Sequence, residues 1–475
     1  MVPYPSWLNA GDSSWQLTAA TLVGLMSLPG IAVLYGGLVQ RKWAVNTMLM
    51  AFSGFAMVLI VWVLWGFKMG FGEPWMKGFE VIGKPNTVVG AGGEQNQAHI
   101  PLVSGVGLMP HFRFAQSALV YFQFVFAAIT PLLFLGSVIG RISFKVWLIF
   151  VPLWSTFAYS VNAFLLWGGG YWAQKGALDF SGGYVIHLAA GVSGFVAAAV
   201  IGPRLKRDRD HGVPNNLLLC SVGAGILWLG WNGFNGGDPY FAGADAASAV
   251  LNTNLATAVA MMTWIIMDMV GTKEKKPTFL GGINGLIVGL VGITPAAGYV
   301  NGVGAIVIGL VGSAIVWFAW NYLSKVRPFS KVDDTLGVVY THGIAGLAGG
   351  LMVGFLADPK MVIYVGLGKN PNVTTAGLFY GHPKQVLIQA GAALTVIVWD
   401  AIVTFVLLKV IGLFMSLRMP DEVLETGDAA AHGEVVYPEE SLIGVGATVP
   451  SAVAASAAGS SGAAREGEPL SHSDG

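Results

Sequence analysis

DFSGGYVIHLAAGVSG, residues 179–194, returns in altered form as DTLGVVYTHGIAGLAG at residues 334–349. Both stretches fit one template: Asp, then Gly three residues on, His eight on, and Gly at twelve and fifteen. A glycine-rich apolar chain has thus written the same deep histidine twice, as His187 and His342. Where the two copies lie along the chain decides how it folds.

The chain has 475 residues, 54% hydrophobic and 11% charged, with a mean hydropathy of +0.66. Ordinary globular chains are about 25% charged. So few charges cannot cover a soluble surface of this size, which makes the lipid bilayer the first partner. Net charge is zero, so nothing points to nucleic acid. The lone cysteine, Cys220, excludes an internal disulfide and any multi-cysteine metal site.

Apolar runs of about 18–25 residues signal membrane-spanning helices. Eleven occur, centred near residues 27, 57, 128, 154, 192, 224, 258, 287, 312, 347 and 400. The first lacks a preceding basic residue and continues past Pro29, unlike a cleaved signal peptide. Basic residues collect in alternate connections: Arg41 and Lys42; Arg141 and Lys145; Arg204 to Arg209; Lys273 to Lys276; Lys325 to Lys331. That face is expected in the cytosol, with the N-terminus outside and the C-terminus inside. The fold expected is an all-α integral membrane protein of eleven transmembrane helices in the cell membrane.

One copy of the template opens the fifth run and the other opens the tenth. Five spans separate them, and an odd number inverts the second copy. The expectation is a 5+5 inverted repeat plus a final helix, with its site near the bilayer midplane. Asp179 and Asp334 are expected as N-caps. Each His would then lie roughly 12 Å deeper at 1.5 Å per residue, near the centre of a hydrocarbon core about 30 Å thick. One histidine descends, the other rises, and they should meet.

A lone helical His more often only hydrogen-bonds a neighbour. Two at symmetric depth fit a pathway better, because ionisable groups there are costly. The other six, His99, His111, His211, His382, His432 and His472, fall in loops or tails. A metal needs three or four ligands, and neither HxxxH nor ExxH accompanies the pair. An enzyme would want a nucleophile or carboxylate beside the histidines, and none is apparent. Neutral imidazoles lining an apolar pore suit a small hydrogen-bonding solute, neutral during passage; an ion would need a filter of oxygens or counter-charges. Glycines at small-xxx-small spacing, as in GVSG and GLAGG, require only close helix packing.

Four segments follow from these patterns. Residues 1–14 are a short outer N-terminus and 15–417 the membrane domain, with long outer loops at 70–115 and 358–385. Residues 418–441 are a polar cytosolic tail able to fold locally. Residues 442–475, rich in Ala, Ser and Gly, are expected to be disordered.

From about residue 15 to 440 the chain resembles the ammonium transporter (Amt/Mep/Rh) family. The motifs that carry the likeness are LPGIAVLYGGLV, FQFVFAAIT, WGGG, DFSGGYVIH, GWNGFNGG, NTNLATA, GLVGITPAAGYV and DDTLGVVYTHG. It is most similar to the Mep-like second subfamily of plant ammonium transporters. The resemblance implies a homotrimer that carries ammonium or ammonia, and possible methylammonium, with no cofactor. A non-conducting ammonium sensor of the same fold is the alternative. It implies an outer recruitment site at Trp167 and Phe122, ordered by Asp179, a gate of Phe126 and Phe234, and a pore lined by His187 and His342. It also implies a regulatory tail that docks on a neighbouring subunit. Two positions depart from the pattern. Asp238 replaces the vestibule serine of many relatives, and reads as a loop cap before proline or as a carboxylate that concentrates cations. Ala430 replaces the phosphorylatable threonine of some plant relatives.

Overall fold

The computed structural model describes residues 5–76, 78–105, 111–210, 212–361 and 376–437. The stretch expected to be disordered, 442–475, lies outside these residues, as do His211 and His472.

Among the described residues, ten helical segments are long and apolar enough to cross a membrane: Ala10–Leu38, Arg41–Phe71, Gln116–Val138, Phe144–Gln174, Gly183–Ile201, Leu217–Gly237, Ala244–Gly271, Gly302–Lys325, Val339–Leu356 and Lys384–Gly412. The run near residue 287 differs. It is a helix of 15 residues, Phe279–Ile293. It stops at Thr294, which is still helical at φ −51° and ψ −45°, because Pro295 beyond it has no N–H to donate back into the helix. Small polar side chains start several helices. Asn9, Asn216, Thr278 and Asn301 each accept a backbone N–H from the first turn.

Helix packing sorts the chain into an inner bundle and an apolar outer face. Gln116–Val138 is buried along almost its whole length. Leu218, Leu229, Leu251 and Leu387 on other helices are exposed, as lipid-facing residues should be. At the centre the two template helices cross. The first turns of Gly183–Ile201 pack on the later part of Val339–Leu356, and the reverse contact is made as well. Their backbones touch where glycines allow it. A methyl on Gly191 would overlap the backbone of Gly343, and one on Gly346 would meet the Gly183 carbonyl.

Each template helix opens with a π-turn, Gly183–Leu188 and Val339–Ile344, and each histidine sits within it. The N-cap expectation needs correction. The residues before the π-turns are Gly182 and Val338, not the aspartates. The template glycine explains the offset. Gly182 at φ 105° and Gly337 at φ 74° turn the chain through the left-handed region, which glycine enters without a Cβ clash. The aspartate is thereby swung back over the helix mouth, where it still caps. Asp179 accepts from the Tyr184 and Val185 N–H groups, both at 3.0 Å, and Asp334 from Val339 at 2.8 Å. The histidines therefore lie about one helical turn in, not two, because four residues of each template form the loop.

The outer loop after residue 71 is more ordered than its composition suggests, with an antiparallel hairpin of Pro74–Met76 and Phe79–Gly83 and a short helix, Pro101–Gly105. The tail folds locally into Asp421–Thr426 and Asp428–His432. It packs on its own chain. Asp428 accepts from the Val45 and Asn46 N–H groups at 2.7 and 2.9 Å, Lys42 donates to the Leu424 carbonyl, and His432 Nε2 lies 2.9 Å from Asn46 Oδ1. Ala430 lies in the second of these helices.

Candidate functional site

The seven site residues expected from the sequence come together in one column. Trp167 stands at one end of it, partly exposed, on the turn that follows the helix Ser160–Leu166. Its indole N–H donates to the Asp179 carbonyl at 2.7 Å. The ring is sandwiched laterally, with Phe71 stacked at 6.5 Å and Phe126 edge-on at 6.2 Å. Phe122 lies 4.7 Å from Phe126, four residues along the same helix face. Phe126 and Phe234 stack at 4.3 Å with 22° between their planes. Phe122, Phe126 and Phe234 are all fully buried, so the aromatic pair closes the column in this conformation.

Beneath Phe234 is His187, at 6.0 Å, then His342. The two rings stack at 5.3 Å, and Nδ1 faces Nδ1 at 3.2 Å. An Nδ1···Nδ1 contact between neutral rings has one donor and one acceptor. The ring that donates keeps a lone pair on Nε2, and the ring that accepts carries its proton there. The pair thus offers one acceptor and one donor to a solute. His187 Nε2 is buried without a hydrogen-bond partner among the described residues. The contact is antiparallel and symmetric in origin, because each imidazole comes from an equivalent π-turn. A π-turn widens the helix by one residue and leaves its carbonyl and side chains re-aimed, as often seen at functional positions.

Several residues of the site were not singled out in the sequence. Trp231 stacks on His187 at 5.4 Å and 15°, and its own N–H is held by Thr294 Oγ1 at 2.9 Å. It forms a flat apolar wall that fixes the ring plane. Tyr240, at φ 62°, covers Phe122 edge-on and receives the Gln123 side-chain amide at 2.7 Å. Trp231 is three residues before Phe234 in GWNGFNGG, so helical spacing alone was the available signal. Nothing local announces Tyr240.

Near the opening of the second template, Arg141 was read only as a loop charge. It is fully buried. Its guanidinium donates to the carbonyls of Gly202, Ile139, Ser137 and Asp333 and to Thr335 Oγ1. Arg204 pairs in a fork with Asp333 at 2.7 and 3.0 Å. Burial pushes Asp333 up, but the Arg204 hydrogen bonds and the two guanidinium charges hold it below the usual carboxylate range. These ties join three connections of the chain around the second template. Among the described residues no group of three His, Cys, Asp or Glu side chains is placed to hold a metal.

The model of the Ammonium Transporter Family matches residues 14–437. Ammonium transporter 2 of Arabidopsis thaliana is 48% identical over 436 residues, covering 91% of this chain and 89% of that protein. Ammonium transporter 3 member 2 of Oryza sativa subsp. japonica is 46% identical over 444 residues, covering 91% and 90%. The crystal structure of Saccharomyces cerevisiae Mep2 superposes with a TM-score of 0.75 at 28% identity, over 88% of this chain and 89% of that one. A structure titled Sensor Amt Protein shares the fold at a TM-score of 0.75 and 23% identity, over 89% and 98%.

Proposed function

The chain belongs to the ammonium transporter family and is a multi-pass membrane protein, and from that premise we propose that it conducts ammonium-derived nitrogen through the histidine column. Ammonium is drawn to the face of Trp167 beside Phe122, a cation–π contact worth roughly 0.5–2 kcal/mol. At the stacked Phe126–Phe234 pair the cation would have to shed its water, and charge in an apolar passage is costly. It therefore gives up a proton there, which either passes along the imidazole pair or returns to the water at the outer mouth, and continues as ammonia. Ammonia is both donor and acceptor, and meets one acceptor and one donor on the His187–His342 pair. The pair holds at most one extra proton, because two imidazolium rings in one dry site repel. Asp179 shapes the outer mouth by capping the helix that carries His187.

The surrounding architecture proposed is eleven spans, with Phe279–Ile293 and its following turn as the short eighth, in a 5+5 inverted repeat plus a final helix. The N-terminus is outside, and the tail 418–441 is cytosolic. Three copies, each with its own pore, form the trimer. No catalytic residue is proposed.

The observation that carries the reading is the Nδ1···Nδ1 contact of 3.2 Å directly below the stacked phenylalanines. The test is ammonium-driven current and methylammonium uptake in proteoliposomes of the full chain. Saturable uptake supports conduction, and current shows that the proton follows. Ammonium binding without flux in either assay would instead make the protein a sensor of the same fold.

A further inference from the structure

The last membrane helix carries a carboxyl that the histidine column does not use. Asp400 lies near the middle of Lys384–Gly412 and is fully buried. It faces Asn162 of the helix Ser160–Leu166, which is fully buried as well. The Asn162 side-chain amide donates to Asp400 Oδ2 at 2.8 Å. Two oxygens of this bonded pair are left stranded. Asp400 Oδ1 and Asn162 Oδ1 have no hydrogen-bond partner among the described residues. Both can only accept while the acid is ionised.

Other acids of the chain are compensated. Asp333 is forked to Arg204, and Asp179 and Asp428 each take two backbone N–H groups. Asp400 has one neutral amide, and none of the described ion pairs includes it. The elements packed on its helix are Phe144–Trp154, Ser155–Tyr159, Gly183–Leu188, Ala189–Ile201, Ala345–Leu356 and Leu378–Tyr380. Their titratable side chains are Lys145, Tyr159, Tyr184, His187 and Tyr380, and none of these is a described hydrogen-bond partner of Asp400. On its own helix Lys384 and Lys409 lie roughly 24 and 14 Å away at 1.5 Å per residue. An ionised carboxylate at this depth without an opposite charge is costly. A proton removes the charge and supplies the missing donor in one step.

We propose that Asp400 is held as the neutral acid, with its Oδ1–H donated to Asn162 Oδ1, so that acid and amide close a two-bond clasp between the last helix and the helix Ser160–Leu166. A bound metal cation answers the same deficit less well, because it wants a shell of oxygens and the pair offers two. The clasp has a mechanical consequence. One turn further along, Thr404 Oγ1 and Ser193 Oγ share the Trp154 indole N–H at 3.2 and 3.0 Å. About three turns back, Gln389 donates to the Leu178 and Gly350 carbonyls at 2.7 and 2.8 Å. Ser193 belongs to the first template helix and Gly350 to the second. The last helix lies outside both templates and is fastened to each of them. Of these fastenings Asp400 alone titrates. It is a positioning residue, acting on the histidine pair through the helices it seats, whatever solute the column carries.

The test is infrared difference spectroscopy of the full-length protein in lipid, wild type against Asp400→Asn, at neutral pH. The expected result is a carbonyl band of a protonated carboxylic acid that the variant loses. Asn162→Ala should move that band to higher frequency, because the acceptor of the acid O–H is gone; a role in packing alone would leave it in place. Melting supplies a second readout. Asp400→Asn still presents one donor and one acceptor to Asn162, so it should melt like the wild type at neutral pH. The native state holds the proton more tightly than the unfolded chain, so the wild type loses stability as pH rises and the acid ionises; Asp400→Asn should not share that loss. A carboxylate band lost in Asp400→Asn in place of the acid band would overturn the proposal. Stabilisation of the wild type by sodium or potassium over choline, abolished in Asp400→Asn, would overturn it in favour of a cation site. Should Asp400→Asn not fold, the Asn162→Ala spectrum decides, and an acid band that does not move there would equally overturn the clasp.

Discussion

The two copies of the Asp–His template share local geometry and differ in electrical surroundings. In both, a positive-φ glycine turns the chain so that the aspartate caps a π-turn, and the π-turn presents a histidine. Outside, Asp179 sits with Asp238 among aromatic rings, and no described basic side chain pairs with either. Inside, Asp334 lies near buried Arg141, and Asp333 is forked to Arg204. The first copy therefore lies in acidic surroundings. The second copy is lined by guanidinium charges. A solute that travels from the first surroundings to the second does so more easily without its charge. One template, written twice, thus supplies a contacting pair of imidazoles, while the connecting loops give its two copies different charged surroundings.

Removing the inner guanidinium should break the comparison most severely. Arg141→Met leaves Asp333 with one fewer positive neighbour and strips five hydrogen bonds from three connections. Loss of one partner of a buried charge network typically costs about 3–5 kcal/mol. A fall in thermal stability of that size is expected in detergent. Arg141→Lys should recover only part of it, because an ammonium group lacks the fork geometry. Wild-type melting of Arg141→Met would show that the inner mouth does not depend on this residue.

Trp167→Leu tests the outer side. Losing a cation–π face worth roughly 0.5–2 kcal/mol corresponds to about a 2- to 30-fold rise in half-saturating ammonium or methylammonium. Stability and assembly should be intact, since Trp167 is only partly buried. Unchanged affinity and flux would return Trp167 to packing against Phe71 and Phe126.

How far these features could be read in advance depends on the range of the interactions. The membrane class, the apolar runs and the meeting of His187 with His342 were legible, because each follows from composition or from one repeated pattern. The π-turns were not, since a single extra residue in a turn is decided by crossing glycines from the other helix, such as Gly346 against Gly183. The burial of Arg141 was hidden for the same reason. Its acceptors come from residues up to 194 positions away. Trp231 and Tyr240 look like ordinary aromatics until His187 and Phe122 are placed beside them. The short helix Phe279–Ile293 was legible in principle, because Pro295 is written two residues after its end.

The smallest effect concerns the tail, which touches the inner side through Val45 and Asn46. Asp428→Ala removes a cap on that helix and should weaken docking of 421–437 by about 1 kcal/mol, read as faster limited proteolysis within the segment. Burial raises the Asp428 carboxyl to about 6, against the pull of the two N–H groups. A free tail titrates near about 3.9. The docked form therefore holds the proton more tightly. Docking should strengthen as pH falls between about 6 and 4, and weaken as pH rises through 6. A wild-type proteolysis rate with no pH dependence beyond that of Asp428→Asn would rule this out.

The most direct test of the paired template is a double-mutant cycle on ammonium-dependent current, using His187→Ala, His342→Ala and the double variant at equal surface density. If the two imidazoles act as one unit, each single change abolishes the current and the double change removes nothing further. Wild-type current in either single variant, or losses that simply add, would contradict it.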